Sequence, residues 1–130
     1  MDFTLNIGVS RRATLIVTDK DSAKAVGSGD MPVLATPSMV ALMEQAACLL
    51  AADGLPTGFS TVGTKLNIEH VAATPIGLEV YAEATLTAID RRRLVYDVAA
   101  YDTGGLIGKG SHERFIVEVE GFMAKANSKA

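Results

Sequence analysis

A single carboxylate interrupts the most apolar stretch of the chain. Glu44, followed by Gln45, breaks the run Met39–Ala52, which otherwise contains Val40, Leu42, Met43, Ala46, Ala47, Leu49 and Leu50. An isolated carboxylate in dry surroundings costs several kcal/mol or takes a raised pKa. Two readings stand open. Glu44 and Gln45 share a narrow solvent-facing stripe, or Glu44 is a working group in a cleft. His70 weighs toward the second. Alternation along Val62–His70 places Val62, Leu66, Ile68 and His70 on one face, the face expected to pack on the apolar run. A carboxylate and an imidazole in an apolar cleft can tune each other for acid–base chemistry. Thr36, before Pro37, stands where that run begins. Helix capping alone would account for it, and its hydroxyl is also available to a site. Eight residues of ideal helix separate Thr36 from Glu44 by about 12 Å. The two cannot touch along one straight helix. Either Thr36 belongs to a loop that folds back, or the site combines two subunits.

Other chemistries have weaker support. The chain carries neither a GxSxG nucleophile elbow nor a P-loop. Cys48 reads as core. His112-Glu113-Arg114 suggests a metal or a triad, but a metal would need His112 to meet His70, the one other histidine, beside a carboxylate; no metal site is expected. Arg91-Arg92-Arg93 reads as a solvated turn or, functionally, as a phosphate grip.

The elements that must position these groups follow from patterning. With 130 residues, 48% hydrophobic and 21% charged, the chain is expected to form one domain spanning residues 1–130. Such a domain buries roughly two thirds of its unfolded surface. A net charge of −3 argues against nucleic-acid partners. One cysteine excludes an intrachain disulfide. Met1–Ser10 lacks the basic-then-apolar pattern of a signal peptide, and the longest apolar run is too short for a bilayer. No membrane partner and a cytoplasmic location are expected. Arg12–Thr18 reads as a strand, and Asp19–Asp30 as a connection with one helical turn. Thr36-Pro37 opens a helix, with Thr36 as N-cap, that Gly54 and Pro56 end. Its apolar residues cover nearly every side, so it should be buried on nearly every side. Strands follow at Val62–His70, Leu78–Ile89, Arg93–Tyr101 and Ile107–Val119. Turns are expected at Asp90-Arg91-Arg92 and Thr103-Gly104-Gly105. Gly108 and Gly110 suggest a bulge or a close backbone approach. The polar tail Lys125–Ala130 is expected to fray. The predicted fold class is α+β: a five-stranded antiparallel sheet wrapped round one long apolar helix. One helix covers only part of such a sheet, so a homodimer at least is expected, with a tetramer open.

Four runs carry a resemblance. Ala35-Thr36-Pro37-Ser38-Met39-Val40-Ala41-Leu42-Met43-Glu44, Val62-Gly63-Thr64, Glu69-His70-Val71-Ala72-Ala73-Thr74-Pro75-Ile76-Gly77 and Gly110-Ser111-His112-Glu113-Arg114 occur in that order. Together they resemble the fluoroacetyl-CoA thioesterase type of hot-dog thioesterase, from Val33 to the C-terminus. The resemblance implies a hot-dog fold and acyl-CoA hydrolysis by a catalytic set matching Thr36, Glu44 and His70. Gly63 matches the glycine lining the thioester site. Arg114 matches an arginine of substrate binding or site architecture. No cofactor is implied beyond the coenzyme A of the substrate. The fluoroacetyl-specific enzyme has phenylalanines in a lid before its threonine, whereas Ala25–Leu34 here has no aromatic residue. A small or medium acyl-CoA is therefore the expected substrate. Two further functions are weighed: an acyl-CoA-binding module without hydrolysis, and an enoyl-CoA hydratase. The apolar cleft's carboxylate disfavours the first. The absence of that class's Asp–His pair disfavours the second.

Overall fold

A strand β1 (Ser10–Ile16) opens the chain, and a single turn of 3-10 helix at Asp19–Asp21 leads into a short helix α1 (Ala23–Val26). The long helix α2 (Thr36–Ala52) follows, then β2 (Phe59–His70), β3 (Glu79–Asp90), β4 (Arg93–Asp102), β5 (Gly105–Glu118) and a terminal helix α3 (Val119–Asn127). The computed structural model describes residues 3–130. All strand pairs are antiparallel, in the order β1-β3-β4-β5-β2. The helix α2 thus links the two strands that end up at opposite edges. It packs against β1 to β4.

The core lies between α2 and the concave face of the sheet. From the helix it takes Met39, Leu42, Met43, Ala46, Ala47, Leu50 and Ala51. From the sheet it takes Val80, Ala82, Ala84 and Leu86 of β3, then Leu94, Tyr96, Val98 and Ala100 of β4. The expected alternation of β3 holds as far as Leu86. A register shift between Leu86 and Ala88 then turns the end of the strand outward. The turns expected after Asp90 and Asp102 are both two-residue connections. Arg91 adopts φ 58°, a left-handed conformation that the tight β3–β4 turn requires. Gly110 marks a close backbone approach, since a Cβ there would collide with the Asn67 carbonyl of β2.

Several expectations need correction. The helix N-cap is Ala35, and Thr36 and Pro37 occupy its first turn. The cap makes no side-chain hydrogen bond. The backbone entering the helix is held instead by bonds from Leu34 N–H to the Thr74 carbonyl and from Ala35 N–H to the Asp21 carbonyl. Nor is α2 buried all round: Pro37, Ala41 and Gln45 form an exposed stripe, and Cys48 is half-buried. Leu66 shares the face of Ile68 and His70, since it pairs with the buried His112, yet it is 44% exposed on an edge strand. A bulge between Gly63 and Lys65 shifts the parity of β2, so Val62, paired with the exposed Phe115, leaves that face. The first strand is two residues earlier than the pattern indicated. The tail does not fray from Lys125 but stays helical to Asn127. Its Val119, Phe122 and Met123 are all partly exposed. Among the described residues no helix is long and apolar enough to cross a membrane.

Candidate active site

Two clusters of polar groups flank α2, one at each end of the Thr36–Glu44 interval. The first is at the helix N-terminus. His70, the last residue of β2, places Nδ1 2.8 Å from Oγ1 of Thr36. Because Thr36 is not the cap, its hydroxyl is available for this bond. His70 Nε2 is enclosed and has no hydrogen-bond partner among the described residues. Beside the pair lies a cleft of ≈ 370 Å³, lined by Met31, Val33, Thr36, His70, Val71 and Ala72 among others. Its wall therefore includes part of the non-aromatic stretch Ala25–Leu34. First-turn N–H groups of a helix have no intrahelical acceptor, and the helix dipole places partial positive charge there. The cleft thus combines a hydroxyl and an imidazole at the positive end of the helix dipole.

The second cluster surrounds Glu44. Its Oε2 lies 3.6 Å from Nη1 of Arg114, and the side chains are 37% and 8% exposed. Glu44 sits at the margin of the solvent-facing stripe rather than in a dry core. Gly63 lies directly against it: a Cβ there would stand 2.7 Å from Glu44 Oε2, 3.3 Å from His112 Cε1 and 3.4 Å from Arg114 Nη1. The bulge after Gly63 and its pairing with Arg114 across β2 and β5 create this approach. Arg114 donates from Nε to Thr61 Oγ1 at 2.8 Å and from Nη2 to the Thr61 carbonyl at 3.0 Å.

His70 therefore meets the helix, but at its first residue, and Glu44 pairs with Arg114 instead. Thr36 and His70 come together in one cluster, and Glu44, Gly63 and Arg114 in the other. Sequence reasoning missed Thr61 and treated His112 only as an unpromising metal ligand. His112 is buried, two residues from Arg114 on the inward face of β5, with its ring 5.9 Å from that of Tyr96 and nearly parallel. Strand parity with Arg114 was the available signal. Among the described residues no group of three or more His, Cys, Asp or Glu side chains could hold a metal.

Burial holds both imidazoles below the ordinary histidine pKa. At His70 the Ala72 backbone opposes that effect less strongly. At His112 burial is again the largest cause, opposed next by the Lys65 carbonyl, while Arg114 reinforces it. A lowered native pKa means the unfolded chain binds more protons, so stability falls as pH falls from the unfolded value of about 6.5 through the native ones. Urea denaturation at about pH 7.5 and about pH 5.5 should show lower stability at the acid value. Replacing His112 with glutamine should reduce the difference. Equal stability at both pH values would contradict the burial of neutral imidazoles.

With this geometry in view, comparison with known proteins defines the class. A solved structure of the fluoroacetyl-CoA thioesterase superposes with a TM-score of 0.91 at 33% identity, over 97% of this chain and 98% of that one. A thioesterase superfamily member from Thermus thermophilus superposes with a TM-score of 0.88 at 26% identity, over 95% and 92%. The fold is that of a hot-dog thioesterase, and the class is that of a thioester hydrolase. In sequence, the fluoroacetyl-CoA thioesterase of Streptantibioticus cattleyicolor is 42% identical over 97 residues, which cover 75% of this chain and 70% of that protein. The profile of the fluoroacetyl-CoA-specific thioesterases matches residues 17–120. The chain belongs to that family.

Proposed function

We propose that this single-domain chain hydrolyses a small or medium acyl-CoA to the free acid and CoA, in the cytoplasm and with no cofactor. The working unit is a homodimer whose sites join Thr36 and His70 of one protomer to Glu44, Gly63 and Arg114 of the other. The observation that carries this reading is the Thr36–His70 pair at 2.8 Å, set at the N-terminus of an unbroken 17-residue helix beside an open cleft. Because α2 is continuous from Thr36 to Ala52, the folded-back loop considered from sequence is excluded, and about 12 Å of helix keeps Thr36 from Glu44 in one protomer. A second copy brings the halves together. The open edge of β2, with exposed Leu66 beside it, is suited to receive that copy.

In this reading the thioester carbonyl lies at the start of α2, where amide donors and the helix dipole stabilise the developing oxyanion. Glu44 from the partner either attacks the carbonyl carbon, giving an acyl anhydride that water then hydrolyses, or takes a proton from the attacking water. The C–S bond breaks, and His70 passes the proton given up by water on to the departing thiolate. The Thr36 hydroxyl orients that imidazole. The cleft wall at residues 28–33 has no aromatic side chain, which favours a general acyl group over a fluoroacetyl group alone.

The deciding experiment is a thiol-release assay over a panel of saturated and unsaturated acyl-CoAs. Release of CoA from saturated substrates is expected. Tight acyl-CoA binding without thiol release would make the protein a binding module, and hydration of enoyl-CoA without thiol release would make it a hydratase. A second expectation tests Gly63. Gly63→Ala pushes against the mobile end of Glu44, so Tm should change little. Turnover should fall by about 10- to 100-fold, because a displacement of about 1 Å at a reacting group costs that much. Full turnover with an ordered methyl group at residue 63 would remove Gly63 from the site.

A further inference from the structure

We propose that His112 is a positioning residue that aims Arg114 at the carboxylate of Glu44. The proposal rests on the catalytic reading of Glu44 above and adds to it a residue with no contact to substrate.

The partners of His112 determine its protonation. Nδ1 lies 2.8 Å from the Lys65 carbonyl, and Nε2 lies 3.2 Å from Arg114 Nη1. A carbonyl only accepts and a guanidinium only donates. One neutral tautomer satisfies both: Nδ1 carries the hydrogen and Nε2 offers its lone pair. An imidazolium would set its Nε2–H against the arginine N–H. The groups facing the ring are Arg114, Glu44, Glu113, the Lys65 carbonyl and the stacked Tyr96.

Arg114 is then held in three directions. Thr61 takes Nε and Nη2 through its hydroxyl and its carbonyl, and His112 takes one hydrogen of Nη1. The guanidinium is planar and carries five N–H groups, so three fixed directions determine the other two. One of these is the second hydrogen of Nη1, the nitrogen that lies 3.6 Å from Glu44 Oε2. Buried and bonded in this way, Arg114 is an internal counter-ion and takes the role in site architecture rather than that in substrate binding. His112 is the only one of its anchors that must be neutral to work.

The test compares His112→Phe, His112→Gln and Glu44→Gln by steady-state kinetics. Phenylalanine keeps the ring and its stacking on Tyr96 but removes both bonds. Its kcat should fall by about 10- to 100-fold with KM within about 2-fold. Glutamine offers an oxygen near the Nε2 position and should recover most of the lost kcat. A folded His112→Phe protein with wild-type kcat, beside an inactive Glu44→Gln, would overturn the proposal and leave the catalytic reading intact. An active Glu44→Gln would overturn both. Should His112→Phe fail to fold, Thr61→Val removes the Nε acceptor and is read the same way: a lower kcat at unchanged KM supports the proposal, and an unchanged kcat overturns it. Nitrogen NMR adds a readout free of activity. Any tautomer other than Nδ1–H between about pH 6 and 8 overturns the assignment.

Discussion

Replacing Glu44 with glutamine is expected to lower thioester turnover at least about a hundredfold, or about 2.7 kcal/mol in the barrier, while the protein remains folded. The amide has the same shape and can still accept from Arg114. It can neither attack a thioester nor hold a proton. Stability should change little, because the ion pair is long at 3.6 Å with its carboxylate 37% exposed. Pairs of that kind contribute about 0–1 kcal/mol. His70→Ala should cost a similar factor by removing the imidazole bonded to Thr36. The check is kcat/KM by thiol release, with circular dichroism to establish folding. Near-native rates in both folded variants would remove Glu44 and His70 from the chemistry.

Activity is also expected to return when two inactive variants are combined. If each site takes Thr36 and His70 from one protomer and Glu44 from the other, a dimer pairing a His70→Ala chain with a Glu44→Ala chain has one doubly damaged site and one intact site. With random pairing half of the dimers are mixed and half of their sites work, so about a quarter of wild-type activity should reappear. Each parent alone should stay near background. A site confined to one protomer predicts no recovery at all, because every site then carries one substitution. Co-expression of differently tagged chains, with purification of the mixed dimer, measures this directly. No recovery in a purified mixed dimer would rule out the shared site.

What could be read from the residues alone was what depends on local periodicity and short-range chemistry. The apolar run after Thr36-Pro37 identified the helix, because a 3.6-residue repeat and an early proline are local signals. The alternation of Val80, Ala82, Ala84 and Leu86 identified an inward strand face for the same reason. The turns at Asp90 and Asp102 and the close approach at Gly110 were legible from glycine and turn chemistry. So were Thr36, Glu44 and His70 as the groups to consider, since a carboxylate in an apolar helix stands out against its neighbours.

Tertiary structure alone decided how those groups combine. The bulge after Gly63 shifts the parity of β2, so alternation could not show that Val62 turns outward or that Gly63 touches Glu44. The exposed stripe of α2 depends on which side the sheet covers, and residue type cannot report that when the helix is apolar all round. The terminal helix escaped notice because its Val119, Phe122 and Met123 are spaced across a strand end with none of them buried. Glu44 itself drew attention as a charge lacking a partner. Its partner, Arg114, lies 70 residues away in sequence, and the anchors of that arginine, Thr61 and His112, are on two different strands. Contacts of this kind are made by strand pairing and register, which no local pattern encodes. The separation of Thr36 from Glu44 was calculable from helix rise beforehand, but only an unbroken α2 turned it into a reason to seek the other half of the site on a second chain.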